Sequence, residues 1–144
     1  MQIRPYRSMD LPQVYEIAAI SLRERYDPGI FISIPQYWPE GFMVAEESGV
    51  IIGFVFGVTV SHSEGRILML AVMPRYRGLG LGTELTKRFF QECSKKGLGI
   101  VSLEVRESNS VALHFYERLG FTIARRMEGY YSDRENGLQL MAFL

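Results

Sequence analysis

Cysteine is almost missing from this 144-residue chain. The one copy, Cys93, excludes an internal disulfide and fits a reducing compartment. A net charge is missing too: sixteen basic and sixteen acidic side chains cancel, so no global field favours nucleic acid or an anionic membrane. Histidine is scarce, and His62 and His114 have no metal-ligand spacing, so no metal and no histidine catalysis is expected. No apolar run reaches the ~18 residues that suggest a membrane span, and the opening MQIRPYRSMD carries no long apolar segment. Internal repeats, low-complexity tracts and linkers are absent as well. The expectation is a cytoplasmic protein that uses neither nucleic acid nor membrane, with residues 1–144 forming one domain.

What is present suits a buried core, with 47% hydrophobic and 22% charged residues. "QIRPY" reads as a first strand, and Asp10 is placed to cap a helix from about Leu11 to Arg25. "YDPG" breaks that helix, and Ile30 to Glu40 reads as a loop with a short helical turn. "FMVAEE" and "VIIGFVFGVTV" flank Ser48-Gly49 as a hairpin. "ILMLAVM", residues 67 to 73, lacks alternation and reads as a strand covered on both faces. Leu81, Leu85, Phe89 and Cys93 recur every four residues and predict one buried helical stripe, with Cys93 in the core. "IVSLEVRE" is a strand, "NSVALHFYERLG" a helix stopped at Gly120, and the remainder a strand pair joined through "DRENG". This order predicts an α/β (α+β) fold: a mixed, mostly antiparallel sheet of about seven strands with one parallel pair, flanked by about four helices.

Residues 77 to 82, RGLGLG, join the carboxyl end of a buried strand to a helix amino end. Free N–H groups converge at such a junction and the helix dipole adds about half a positive charge, so the turn suits an anion. Two phosphate loops are excluded. A nucleoside-triphosphate loop needs Gly-Lys-Ser/Thr, whereas Gly82 precedes Thr83 and Glu84. A dinucleotide turn needs G-x-G-x-x-G, which Gly78, Gly80 and Gly82 do not supply.

Arg77 to Gly82 do match R/Q-x-x-G-x-G/A, the acetyl-coenzyme A motif of the GNAT family of N-acetyltransferases, which the sequence resembles. The likeness continues through "SLEVRESNSVALHFYERLGF" and "GYYSDRENGLQLM" and spans nearly the whole chain, weakest between Ile30 and Phe42. Those segments look like N-alpha-acetyltransferases, both the bacterial ribosomal-protein enzymes and the catalytic subunits that act on nascent chains. "LRERY", residues 22 to 26, is similar to the substrate loop of the latter, with Arg23 and Arg25 in place of its Pro and Asn.

The resemblance implies that acetyl-coenzyme A lies where the two parallel strands splay apart. Its pantetheine would meet the backbone of Leu70, Ala71 and Val72, and its pyrophosphate the amides of Arg77, Gly78, Leu79, Gly80, Leu81, Gly82 and Thr83. Asn109 would also touch the coenzyme, beside its ordinary use as a helix cap. Alternation on "IVSLEVR" sets Val101, Leu103 and Val105 on one face, Ser102 and Glu104 on the other. Glu104 takes the position of the family's general base, and Tyr116 that of the tyrosine that contacts the coenzyme and protonates its thiolate. Another branch uses a tyrosine and a histidine where this chain has Arg66 and Glu104, so that mechanism does not carry over. Tyr130 and Tyr131 match a pair that clamps the substrate backbone, and Leu22, Glu24 and Tyr26 would contact its first residues. The implied function is direct acetyl transfer to a protein or peptide amino terminus, with a ribosome or auxiliary subunit as further partner. Acetylation of a lysine or small amine, or coenzyme binding without catalysis, are the alternatives.

Overall fold

The computed structural model describes residues 1–21 and 27–144. Among them the chain forms, in order, β1 (Gln2–Pro5), α1 (Leu11–Ser21), α2 (Ile30–Ser33), β2 (Phe42–Glu47), β3 (Val50–Thr59), β4 (Glu64–Val72), α3 (Leu81–Lys95), β5 (Ile100–Arg106), α4 (Ser110–Arg118), β6 (Thr122–Met127) and β7 (Gly137–Phe143). The strands make one sheet in the order β1-β2-β3-β4-β5-β7-β6. Every neighbouring pair is antiparallel except β4 and β5. The predicted mixed sheet with a parallel pair is therefore the observed one. The β2–β3 hairpin closes through Ser48 and Gly49, whose φ angles of 51° and 83° give the two left-handed centres that a two-residue turn needs.

Two cores cover the two faces. Leu81, Leu85, Phe89 and Cys93 of α3 are the predicted stripe, packed with Val101, Leu103 and Val105 of β5 and with Tyr116 and Phe121. Cys93 is fully buried there, and that burial pushes its thiol up to about 12, so it is a core residue and not a nucleophile. On the other face Val14, Ile17 and Ala18 of α1 meet Phe31, Phe42, Phe54, Phe56, Met69 and Ala71.

β4 contributes to both cores by alternation, Met69 and Ala71 on the α1 side and Leu70 and Val72 on the α3 side, and it changes face part-way. Phe56 pairs with Met69 and Gly57 with Ile67, leaving Leu68 as a bulge. Strict alternation would put Ile67 and Met69 on one face. Instead Ile67 joins the α3 side and Met69 the α1 side. The expected covering on both faces holds, and the bulge only resets which residues face which core.

Asp10 departs from its expected use. It lies in a short 3-10 turn, Ser8–Asp10, ahead of α1. Its carboxylate accepts from Arg4 Nη1 and Nη2 (2.8 and 2.9 Å) and from the Arg7 N–H (2.8 Å). A buried guanidinium offers it two charge-assisted bonds, which outcompete a single helix N–H.

Candidate active site

β4 and β5 pair only through Glu64–Ile100, Gly65–Val101 and Arg66–Ser102. Beyond that point each strand stays bonded to its outer neighbour, β3 or β7, and the two part. The opening is a cavity of about 420 Å³. Its walls include Ile67 to Leu70 of β4, Leu103 to Arg106 of β5, and Asn109 with Tyr116 of the following helix. The backbone of β4 beyond Arg66 thus faces an opening rather than a partner strand, where an open sheet takes its ligand.

The glycine turn follows β4 and leads into α3, and a Cβ on its Gly82 would lie 4.0 Å from the Leu70 side chain, one of the residues that line the opening. Gly78 and Gly80 have φ of 78° and 85°, and a side chain added at either would meet no atom within 4 Å. They are there for conformation and for the bare approach it leaves. Gly82 serves packing instead, since a Cβ there would lie 3.3 Å from the Phe115 ring. Glu84 is the first residue of α3 to donate backward, to Gly80 O at 3.1 Å. Among the described residues, the N–H groups of residues 78–83 have no acceptor. Arg77 turns back and donates from Nε to Val72 O at 3.1 Å, tying the turn to the end of β4. Leu81 is held in the core, so only its amide is available to a ligand. Asn109 caps α4 through Oδ1, which accepts from the Ala112 N–H at 3.1 Å.

The opposite wall is made of side chains. Ser102, Glu104 and Arg106 share the face of β5 turned away from α3. Ser102 donates to Glu64 at 2.7 Å. Glu104 Oε1 lies 3.5 Å from Arg66 Nη1, and its Oε2 accepts a hydrogen bond from the Tyr130 hydroxyl. That bond is the main cause holding the Tyr130 phenol above its usual acidity range, with burial and the negative charge of Glu104 adding to it. The Tyr130 and Tyr131 rings meet edge to face at 5.1 Å. Tyr116 approaches from α4, wedged between Phe115 and Phe121, and burial holds its hydroxyl well above the ordinary phenol value. Burial keeps this phenol protonated, and because the same burial penalises the phenolate, Tyr116 yields its proton only to an anion formed in the same low-dielectric site.

Residues 11–121 match the profile described as "Acetyltransferase (GNAT) family". The chain belongs to that family. It is also 32% identical over 145 residues to N-alpha-acetyltransferase 30 of Schizosaccharomyces pombe, covering 98% of this chain and 97% of that one. The crystal structure of Ard1 from Thermoplasma volcanium superimposes with a TM-score of 0.95 at 36% identity, covering 99% and 97% of the two chains. A chain of the NatC complex, solved bound to Gag peptide and CoA, gives 0.90 at 25% identity, covering 100% and 99%. This GNAT protein is accordingly an acyltransferase.

Leu70, Glu104, Tyr116 and Tyr131 line one opening, with Tyr130 bonded to Glu104; Ala71, Val72 and the glycine turn continue the chain from Leu70 and are not among the lining residues. Leu22, Glu24 and Tyr26 lie outside the described residues, although Ser21, just before them, lines the opening. Arg66 stands beside Glu104, a contact set by the strand register rather than by any motif in the sequence.

Proposed function

We propose that this GNAT protein, acting as one catalytic unit over residues 1–144, transfers acetyl from acetyl-coenzyme A to the free amino terminus of a protein or peptide in a ternary complex. The observation that carries the reading is the split β4–β5 pair. It sets a main-chain wall with unpaired amides against a side-chain wall bearing Glu104 and Tyr130, with Tyr116 beside both. The amine attacks the thioester carbonyl carbon; a C–N bond forms, the C–S bond breaks, and the thiolate takes the Tyr116 proton. The amine's surplus proton passes to Glu104, whose two oxygens retain lone pairs for a bridging water. An alpha-amine titrates near 7.7–8.0 and a lysine near 10.4, so roughly a tenth of termini are already neutral at pH 7. A carboxylate of modest basicity is therefore matched to a terminus better than to lysine. The cytoplasm, where a free Cys93 persists and new termini emerge, is the setting this reading requires. The relatives named for N-alpha-acetylation, and the Gag peptide and CoA bound by the NatC complex, support it.

The test is acetylation of a peptide library by purified protein, each peptide carrying a free terminus and an internal lysine. Mass spectrometry should locate the acetyl group on the terminus first. Predominant lysine acetylation would move the assignment to a lysine acetyltransferase.

A further inference from the structure

Between β6 and β7 lies a nine-residue irregular stretch, 128–136, that presents Tyr130 and Tyr131 to the opening. Irregular backbone loses conformational freedom when it is ordered, so a stretch that must hold two rings in place needs a fastening. The end of β5 supplies one. Arg106 is the next residue on the face that bears Glu104. Its Nη1 donates to Asp133 Oδ2 and to Glu135 Oε1, each at 2.8 Å. The flat guanidinium also lies 4.3 Å from the centre of the Tyr131 ring. Glu135 Oε2 in turn accepts the Ser108 N–H at 3.1 Å, and Tyr131 N–H donates to Glu135 O at 3.2 Å.

Glu107, pointing the other way, holds the stretch's two ends. It accepts from Arg126 Nε at 2.6 Å and from Asn136 Nδ2 at 3.2 Å, while Asn136 Oδ1 accepts the Gly129 N–H at 3.0 Å. Three successive residues, 106 to 108, thus grip the stretch from the strand that carries Glu104.

We infer that Arg106 is a positioning residue for the acceptor: it clasps residues 128–136 so that Tyr130 and Tyr131 stand in fixed relation to Glu104, and it sets peptide affinity rather than the chemical step. This deepens the reading of the site as a peptide-terminus acetyltransferase and rests on it. Lysine should not replace Arg106 fully. An ammonium keeps the charge but cannot fork to two carboxylates while lying flat on a ring.

The experiment compares Arg106→Met, Arg106→Lys and the pair Asp133→Asn with Glu135→Gln. The probes are acetyl-coenzyme A and the library peptide that the unsubstituted enzyme acetylates fastest. Losing these charge-assisted bonds should raise the peptide KM by about 10- to 100-fold in Arg106→Met, with kcat changed by less than about threefold. Arg106→Lys should fall between. Combining Arg106→Met with the carboxamide pair should add little further, because both remove the same contacts. Calorimetry should show an unchanged Kd for acetyl-coenzyme A; a Kd raised as much as the peptide KM would overturn the proposal by assigning Arg106 to the coenzyme. An unchanged peptide KM would overturn it too. Hydrogen exchange of residues 128–136 decides the clasp independently of activity. Exchange should accelerate in Arg106→Met while the β4 and α3 amides keep their rates, and equal rates in the stretch would refute the clasp. Were the unsubstituted enzyme to acetylate no peptide terminus, the acceptor assignment would fail while the exchange result still decided the role of Arg106.

Discussion

The wall we assign to the coenzyme is mostly main chain, whereas the wall we assign to the acceptor is mostly side chain. On the first, the open edge of β4 and the amides of residues 78–83 supply donors and acceptors that any sequence would carry. Specific residues matter there only where they shape the backbone, as Gly78 and Gly80 do, or tether it, as Arg77 does. On the second, the function lies in a chain of contacts from Arg66 through Glu104 and Tyr130, with Tyr131 seated on Arg106. A main-chain wall tolerates change except at its glycines and its tether. A side-chain wall is sensitive at each link, and each link should fail in its own kinetic way.

The largest effect should come from Glu104→Gln, which preserves shape while removing basicity. A lost general base costs about 10²–10⁴ in rate, so kcat should fall within that range at pH 7 with little change in coenzyme affinity. The deficit should shrink as pH rises past about 8, where most of a terminal amine is already neutral. Near-normal kcat at pH 7 would take Glu104 out of the chemistry.

Next is Tyr116→Phe, expected to lower kcat by about 100-fold, the low end of the range for a lost general acid. Its ring is locked between Phe115 and Phe121, so the substitution removes the proton and leaves the packing. If acetyl-coenzyme A affinity falls instead and kcat holds, Tyr116 belongs to the coenzyme wall alone.

Gly80→Ala probes the main-chain wall. The left-handed backbone at this position costs a non-glycine residue about 1–2 kcal/mol, and the methyl would project into the open side of the turn. The Kd for acetyl-coenzyme A should rise about tenfold, the melting temperature should fall by about 2–8 °C, and the peptide KM should stay put. A shift in peptide KM alone would erase the division between the walls.

Tyr130→Phe should act more mildly, raising the peptide KM about three- to tenfold by deleting one hydrogen bond and sparing the ring. The smallest expected effect concerns acid. Glu135 is held at about 2 by hydrogen bonds from Ser108 and then from Arg106. A carboxylate depressed in this way contributes fully above its unfolded value, near 4.3, and loses that contribution only as pH falls through the lower folded value. The clasp should therefore add no limb to the peptide KM between about pH 5 and 8, a flatness that steady-state kinetics across that range would check.

The sequence by itself determined the features carried by local physics. Four-residue spacing placed the α3 stripe, Asn109 marked the start of α4, and RGLGLG marked a turn that only glycines allow. Alternation on β5 put Glu104 opposite the core. Tertiary structure alone decided what meets across the sheet. Asp10 serves Arg4 and not the helix, because a buried guanidinium near it needs a carboxylate. Arg66 reaches Glu104 because the bulge at Leu68 resets which face each residue of β4 presents, and because the parallel register sets Arg66 opposite Ser102. Arg106 reaches Tyr131, Asp133 and Glu135 across 25 or more positions of chain. Local spacing fixes a residue's direction within its own element, but register and loop closure choose its partner, and those depend on the whole packed sheet.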